Sequence, residues 1–550
     1  MEIRWIATYK DILPKGKPKP IEEYFKNVSK AFAFKVGKLL IHNNHKYTSN
    51  PNLFFSDWFS KTNARHVENF KMKLSSSMNI VNTISSLNFY ECVLKYCGEV
   101  DKEEDATMEL NLFKAYLVLN TNFSAKSDRF VRNGENEEDE LMHIFSFLDQ
   151  FRSYEYANYI TPYLLGATLI KAIEFYIFLE RHQQYLDILY KELNVNGWRE
   201  FLLPLASQGM QISTNRNVTG FDISQGENPE NLKDLLSTLI LTESNIPDED
   251  FTYLKSNPIY NEGDGKYLVL FNKFFIENIF ISTYFRILKN LSNNERTKFR
   301  QLFTHDFSEK ILFNNAVQRC FSQKQFNCLS GEEFKSLSND DGEPDACVNN
   351  SKCIWLFESK DVFVEKKIKQ TDKPQELMET LMKKFLMDGN QKKGITQLWS
   401  NIERILNGNW PTNLLPSNLE KIYPIIIVHR TEFNCPGFNR LLDFWHRDKI
   451  KELTGKGIDV SKVKPLVVID IDTLILLSEA KSVTLTDLLD GYIDEVMHLP
   501  IASPNKEDNR IEAFLSFYQY IIEKIENLNL FPVERLKQYL PNLFPKSVVN

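Results

Sequence analysis

The chain has 550 residues, of which 43% are hydrophobic and 13% aromatic, and its formal net charge is −7. This length predicts two or three domains with sizeable cores, and the negative charge excludes a uniformly basic nucleic-acid binder. Residues 101–250 carry 12 Lys and Arg against 26 Asp and Glu, or −14, which leaves +7 for the rest of the chain. Any nucleic-acid surface must therefore be local.

The cysteines and the start of the chain favour a cytoplasmic protein. Seven cysteines are scattered without Cys-x-x-Cys pairs or zinc-finger spacing, which is typical of reduced thiols. The first residues lack the apolar stretch of a secretory signal. The most apolar long segment, 163–179, contains Lys171 and Glu174, so we interpret it as a buried helix and expect no membrane partner.

The N-terminal half, 1–255, is predicted to be a mostly helical domain, because its apolar residues recur at helical spacing. No motif in it carries chemistry, so we expect it to recognise a substrate, a partner protein or a second copy of the chain. A strand at 267–271 and an aromatic-rich helix then form a connector, 256–300, to a third region at 301–550.

Residues 301–550 are predicted to form a mixed β-sheet flanked by helices. From residue 305 the order is helix, hairpin, helix, strand, helix, strand and helix. The two later strands, 423–429 and 465–470, are continuous apolar runs, which are typical of buried parallel strands. The whole chain is therefore predicted to be an α+β multidomain protein with a mostly helical N-terminal half.

A β-hairpin is predicted within this region. Two short runs rich in apolar residues, 346–348 and 353–357, flank the sequence Asn-Asn-Ser-Lys, which favours a turn. With the turn centred on residues 350–351, Glu358 is the diagonal cross-strand neighbour of Asp345.

Three charged residues are expected to converge at the end of this hairpin. Glu358 and Lys360 are two residues apart and share a face of the strand, and Asp345 lies on the neighbouring strand. Burying such charges is costly unless something binds them. Two carboxylates can hold Mg²⁺, and the lysine can act on a metal-bound water or on developing phosphorane charge.

The sequence Pro344-Asp345 followed by Glu358-Ser-Lys360 resembles the motif of the PD-(D/E)xK nuclease superfamily, with its restriction-endonuclease-like fold, over about 300–530. The resemblance implies an Mg²⁺- or Mn²⁺-dependent endonuclease that hydrolyses DNA, as in prokaryotic restriction or phage defence. It implies that Asp345 and Glu358 bind the metal, with the carbonyl of Ser359 as a further ligand, and that Lys360 orients or deprotonates the attacking water.

The resemblance implies further site residues on two flanking helices. Members of the superfamily often carry a glutamate near the start of the helix before the hairpin, and Glu309 has that place as a third metal ligand. Asp306 or Ser308 is predicted to cap this helix, and an ordinary first-turn glutamate is the alternative interpretation. Gln397 matches a glutamine that relatives place beside the active site, and a solvated helix glutamine is the equal alternative. Asn401 stands where some branches have a tyrosine.

The lysine-dense stretch after the hairpin is a candidate DNA-binding surface, and a solvated helix face is the equal alternative. We expect phosphate contacts from four lysines in it: Lys383, Lys384, Lys392 and Lys393. Asp470 and Asp472 follow a strand but are expected to be structural, because the metal ligands lie elsewhere.

Two other functions stay open from the sequence. The chain could use the nuclease fold without catalysis, as a scaffold or a nucleic-acid-binding module, although the intact Asp, Glu and Lys set argues against this. It could also cleave RNA, because nothing in the sequence separates the two substrates.

Overall fold

A computed structural model of the chain describes residues 5–42, 47, 50–75, 77–135, 139–156, 161–215, 220–223, 229–242, 248, 250–337, 342–501 and 509–544. The chain combines many helices with a mixed five-stranded sheet, so the predicted α+β class is confirmed. It forms two compact units. The N-terminal unit is Met1–Asp128, Tyr156–Ala172 and Leu179–Asn290, and the C-terminal unit is Arg129–Glu155, Ile173–Phe178 and Leu291–Asn550.

The N-terminal unit is mostly helical. Its helical segments, two of which continue into the C-terminal unit, are Tyr9–Ile12, Ile21–Phe25, Lys30–His42, Pro51–Trp58, Lys61–Asn63, Ala64–Lys71, Thr83–Tyr96, Asp105–Asn133, Pro162–Leu179, Gln183–Leu193, Trp198–Thr214, Pro229–Ser237, Thr252–Ser256, Asn272–Glu277 and Ile281–Lys289. Its strands form a parallel pair, Trp5–Ile6 with Met78–Asn79, and an antiparallel sheet of Gly220–Asp222, Lys266–Val269 and Ile259–Gly263.

Local chemistry explains several of these elements. The side chain of Asn82 caps the helix Thr83–Tyr96 by accepting from the Ser85 amide at 3.0 Å. The strand predicted at 267–271 is present as Lys266–Val269. The aromatic-rich helix after it is present as two helices.

The helix Pro162–Leu179 is long and apolar enough to cross a membrane by length and composition. It is the one such helix among the described residues, and 78% of its apolar window is buried inside the fold. This burial is what a core helix of a folded domain shows, and it agrees with our interpretation of the segment as buried.

The C-terminal unit surrounds its sheet with helices. Its own helical segments are Asp139–Leu148, Phe151–Tyr154, Asn293–Gln301, Leu302–Phe313, Asn314–Cys320, Gly331–Leu337, Lys366–Lys369, Pro374–Phe385, Gly394–Leu406, Thr431–Asn434, Phe438–Gly455, Ile471–Leu477, Leu485–Tyr492, Ile493–Met497, Asn509–Glu512, Phe517–Asn527, Val533–Gln538 and Leu540–Leu543. A small antiparallel ribbon, Met387–Asp388 with Gln391–Lys392, precedes the helix Gly394–Leu406.

The five-stranded sheet has the spatial order Val467–Asp470, Lys421–Val428, Cys353–Lys360, Ala346–Asn349 and Asn327–Ser330. The first three strands are parallel, and the last two join them in antiparallel pairs. The central strands are buried along nearly their whole length, as their continuous apolar runs predict. Parallel strands end at one edge of a sheet, so the residues that follow them meet there.

The predicted hairpin is confirmed as Ala346–Asn349 paired with Cys353–Lys360, which we call the site hairpin, but its predicted register is wrong by two residues. Ala346 pairs with Phe357, so Asp345 lies beside Glu358 and not diagonal to it. The Asn350 side chain sets this register, because its Oδ1 accepts from the amides of Lys352 at 2.9 Å and Cys353 at 2.8 Å.

The helix before the site hairpin starts earlier than predicted. It runs without a break over 293–320, which we call the site helix, and Ser292 caps it together with Glu295. The predicted caps Asp306 and Ser308 are therefore wrong, and Glu309 lies inside the helix rather than in its first turn. The middle segment, Leu302–Phe313, has π-helical hydrogen bonding, which is frequent at functional sites.

Candidate active site

Three charged side chains meet at the end of the site hairpin, as the sequence predicts. Lys360 Nζ lies 2.8 Å from Glu358 Oε2 and 3.7 Å from Asp345 Oδ2. The backbone amide of Ser359 donates to Asp345 Oδ2 at 2.7 Å, which fixes that carboxylate across the two strands. The lysine thus faces both carboxylates at once.

The cluster is enclosed by the protein. Glu358 has 0% exposure, and the side chains of Lys360 and Asp345 are 14% and 18% exposed. Glu358 uses one oxygen to accept from Lys360, whereas its other oxygen, Oε1, is buried without any hydrogen-bond partner in the described structure. A buried carboxylate oxygen without a donor is costly, so this atom is suited to a cation.

Glu309 adds a third carboxyl to the cluster from the site helix. Burial and the nearby charge of Asp345 raise the pKa of Glu309. Burial raises the pKa of Glu358 well above its usual range, and Asp345 and Glu309 add to this effect. His305 lies on the solvent side, with Nδ1 3.3 Å from Glu309 Oε2. Three carboxyls therefore face one ammonium, and the site lacks positive charge.

Lys360 keeps its proton in this environment. Burial by itself lowers the pKa of Lys360, but the charges of Glu358, Asp345 and Glu309 outweigh burial and raise it above the usual range of a lysine. The side chain is therefore an ammonium near neutral pH and acts as a donor to anionic oxygens.

The residues fit a divalent cation that completes its shell with water. No group of three or more His, Cys, Asp and Glu side chains in the described ranges is assembled tightly enough to hold a metal ion. Mg²⁺ needs fewer protein ligands, because it keeps several waters and is commonly held by one or two carboxylates. The unpartnered Oε1 of Glu358 and the shortage of positive charge are the two observations that favour such an ion.

The helix Gly394–Leu406 packs against the lysine. A Cβ atom added at Gly394 would lie 3.6 Å from Lys360 Cε and 3.0 Å from the Phe385 carbonyl oxygen, so this close approach suits glycine. Gln397 lies almost one turn further on, where its side chain is half-buried. The structure therefore brings the Gln397 helix to the site, and Asn401, a turn later, is fully buried.

The four predicted DNA-binding lysines differ in exposure. Lys383 and Lys392 are exposed, and Lys393 is half-buried. Lys384 is also half-buried, and this burial lowers its pKa. Lys392 donates to Ser400 Oγ at 2.7 Å and Lys393 to Gln391 Oε1 at 2.8 Å, so neutral partners hold these two cations.

Asp470 has a structural role, as expected. It caps the helix Ile471–Leu477, where its carboxylate accepts from the Thr473 amide at 3.0 Å and from the Thr473 hydroxyl. Asp472 lies in the first turn of the same helix and is buried.

The sequence analysis missed a set of polar residues at the same edge of the sheet. Ser359 Oγ lies 2.8 Å from His429 Nε2, and Ser308 Oγ donates to Asp361 Oδ2 at 2.7 Å. Arg430 Nε lies 3.6 Å from Asp361 Oδ1. The sequence offered a signal for three of them, because Asp361, His429 and Arg430 directly follow two parallel strands. The carboxyl ends of such strands form ligand sites in open α/β sheets.

Comparison of the chain with family models, with curated proteins and with solved structures finds no match. The assignment of a function therefore depends on the residues of this chain and their geometry.

Proposed function

We propose that this protein is a metal-dependent nuclease that hydrolyses phosphodiester bonds, with DNA as its substrate. One observation carries the proposal. A lysine lies between two carboxylates, 2.8 Å from Glu358 and 3.7 Å from Asp345, and the buried Glu358 still has an oxygen without a donor. A purely structural ion pair has no need of a second and a third carboxyl beside it.

Asp345 and Glu358 would hold Mg²⁺ or Mn²⁺, and Glu309 would reach it directly or through water. When bound, such a cation would polarise the phosphate and lower the pKa of a coordinated water. The protein prepares the site for this charge. The Ser359 amide orients Asp345, and burial keeps bulk water away from Glu358.

Lys360 would stabilise the negative charge that develops on the phosphate during attack. Its raised pKa favours a protonated side chain, which orients the attacking water and donates to phosphate oxygens rather than removing a proton. Gln397 would position Lys360 or a phosphate oxygen from the neighbouring helix.

The order of elements supports a restriction-endonuclease-like core. The site helix precedes three consecutive antiparallel strands, and a helix then leads to a strand parallel to the third. Asp345 directly precedes the second of these antiparallel strands, and Glu358 and Lys360 lie at the end of the third. By analogy of fold alone, the mostly helical N-terminal unit would select a target or a partner in restriction or phage defence.

Cleavage assays test the proposal. We expect the purified protein to cut plasmid, linear or single-stranded DNA with Mg²⁺ or Mn²⁺ and to stop in EDTA, with RNA tested in parallel. Lys360→Ala and Glu358→Gln should abolish cutting without unfolding the protein. Equal cleavage in EDTA would contradict a metal-dependent mechanism, and cleavage of RNA alone would change the substrate.

The non-enzymatic alternative has a distinct outcome in the same assays. A scaffold or binding module would retain nucleic acid in a mobility-shift assay without cutting it under any metal condition. Lys360→Ala would then leave nucleic-acid binding unchanged.

A further inference from the structure

A hydrogen bond beside the candidate active site joins two of the chain segments that carry its residues. Ser308, which immediately precedes Glu309, donates to Asp361 Oδ2 at 2.7 Å, and Asp361 immediately follows Lys360. Ser308 is 1% exposed and the Asp361 side chain is 4% exposed, so water does not compete for this bond. The contact spans 53 residues of sequence.

An arginine lies near the oxygen of Asp361 that does not accept from Ser308, and it offsets the charge of the carboxylate. Arg430 Nε lies 3.6 Å from Asp361 Oδ1, and the guanidinium carbon of Arg430 lies 3.7 Å from the centre of the Phe363 ring. Arg430 therefore pairs with Asp361 through charge alone, because 3.6 Å is longer than a hydrogen bond. The other oxygen, Oδ2, accepts from Ser308.

The segment that receives this bond needs an anchor. Ser308 and Glu309 lie in the π-helical part of the site helix, where the hydrogen bonds that hold an ordinary α-helix are replaced by longer-range ones. The orientation of this π-helical part decides whether the side chain of Glu309 faces Asp345. The adjacent Ser308–Asp361 bond fixes that orientation against the end of the strand Cys353–Lys360.

We propose that Ser308 and Asp361 are positioning residues that hold Glu309 toward the metal site, so that metal affinity depends on a bond that touches neither metal nor substrate. This inference rests on the proposed metal-dependent function and concerns how one metal ligand of the same site is oriented. Partners that orient metal ligands in this way commonly change metal affinity by about 10–100-fold when removed.

A metal titration of stability tests this without relying on cleavage. The melting temperature of the full chain is measured against Mg²⁺ and, separately, Mn²⁺ concentration, and the midpoint of the rise is recorded. We expect Ser308→Ala to raise this midpoint about tenfold. Ser308→Thr retains the hydroxyl and should keep the midpoint within about threefold of the wild-type value.

Ser292→Ala is a matched control in the same helix. Ser292 also donates its hydroxyl to a carboxylate, Glu295, at 2.6 Å, but at the start of the helix and away from the site. It should lower the melting temperature at every metal concentration and leave the midpoint unchanged. An unchanged midpoint in Ser308→Ala would overturn the positioning role while the metal site stands. A wild-type protein without any metal-dependent rise would overturn the metal site itself, and this inference with it.

Discussion

Two buried glutamates, one in each unit, differ in the number of hydrogen bonds that their carboxylates accept. Glu109 of the N-terminal unit accepts three hydrogen bonds at Oε2, from the Ser60 amide at 2.9 Å, the Ser60 hydroxyl at 2.9 Å and the Asn63 amide group at 2.8 Å. Glu358 of the C-terminal unit accepts from Lys360 alone in the described structure, and its Oε1 has no partner.

The comparison separates an acid whose charge is satisfied by donors of the fold from one that the fold leaves short of donors. Donors around Glu109 offset the loss of hydration and tie two segments of the chain together. Glu358 is more deeply buried and has fewer donors, and it faces other carboxyls, so its site is stabilised only when a cation or a proton arrives.

The largest expected effect comes from removing the single cation of the cluster. Lys360→Ala should lower the rate of DNA cleavage by about 10²–10³-fold, because it removes the donor to the developing phosphate charge. Circular dichroism should show a folded protein. Lys367→Ala is the control, because Lys367 belongs to the other Glu-x-Lys sequence, Glu365 to Lys367, and is exposed. Loss of cleavage in Lys367→Ala but not in Lys360→Ala would move the site to that sequence.

The same substitution at both glutamates should have different effects on stability. Glu109→Gln should lower the free energy of unfolding by about 1–2 kcal/mol, because charge-assisted hydrogen bonds become neutral ones. Glu358→Gln should leave metal-free stability within about 1 kcal/mol of the wild type or raise it, since it removes a buried charge. It should also eliminate the response to Mg²⁺. Chemical denaturation with and without Mg²⁺ measures both effects.

Exposed lysines near the helix Gly394–Leu406 should contribute a smaller, salt-dependent effect on DNA binding. The double change Lys383→Glu and Lys392→Glu should weaken binding and flatten the plot of log affinity against log salt by about 0.9 per lost phosphate contact. Lys384 and Lys393 are left unchanged because they are half-buried. Lys191→Glu and Lys233→Glu, at exposed positions in the acidic 101–250 stretch, are the controls. A larger loss in these controls would place the nucleic acid on the N-terminal unit.

The smallest expected effect is a pH dependence of the metal response. Burial raises the pKa of Glu358 and Glu309 in the folded state, so protonation stabilises the metal-free protein at low pH. This contribution is complete below the ordinary value of 4.5 and is lost as pH rises through the raised pKa values. Mg²⁺ replaces the proton, so its effect should grow from pH 5 to pH 8 and reach about 2–4 °C in melting temperature. In Glu358→Gln, the change in melting temperature that Mg²⁺ causes should not vary with pH.

Local patterns in the sequence predicted the strands and the hairpin, because their signals are short-range. The continuous apolar run of Lys421–Val428 and the turn sequence after Asn349 both depend on neighbouring residues. The register was wrong because Asn350 pairs with Cys353, its amide donating to the Cys353 carbonyl at 3.1 Å, which places the two-residue turn at 351–352 rather than at 350–351. The sequence alone does not distinguish these two positions of the turn.

Longer-range features were beyond the sequence. The first segment of the site helix, Asn293–Gln301, is polar and buries only Phe299, so no apolar stripe marks it. The π-helical hydrogen bonding that follows alters the 3.6-residue period on which helix prediction relies. The charged triad could be named from its motif, whereas the Ser308–Asp361 bond depends on tertiary structure.

The π-helical segment Leu302–Phe313 makes the candidate site sensitive to the exact count of residues before Glu309. A π turn contains more residues than an α turn, so deletion of one residue between Leu302 and Ser308 would shift this part of the helix toward α-helical hydrogen bonding. Each residue of an α-helix rotates the chain by about 100°. Such a deletion would therefore turn Glu309 away from Asp345 while every amino acid of the site remained. In a homologous chain, a one-residue gap at this point would indicate that the site is inactive, although all its motif residues are present.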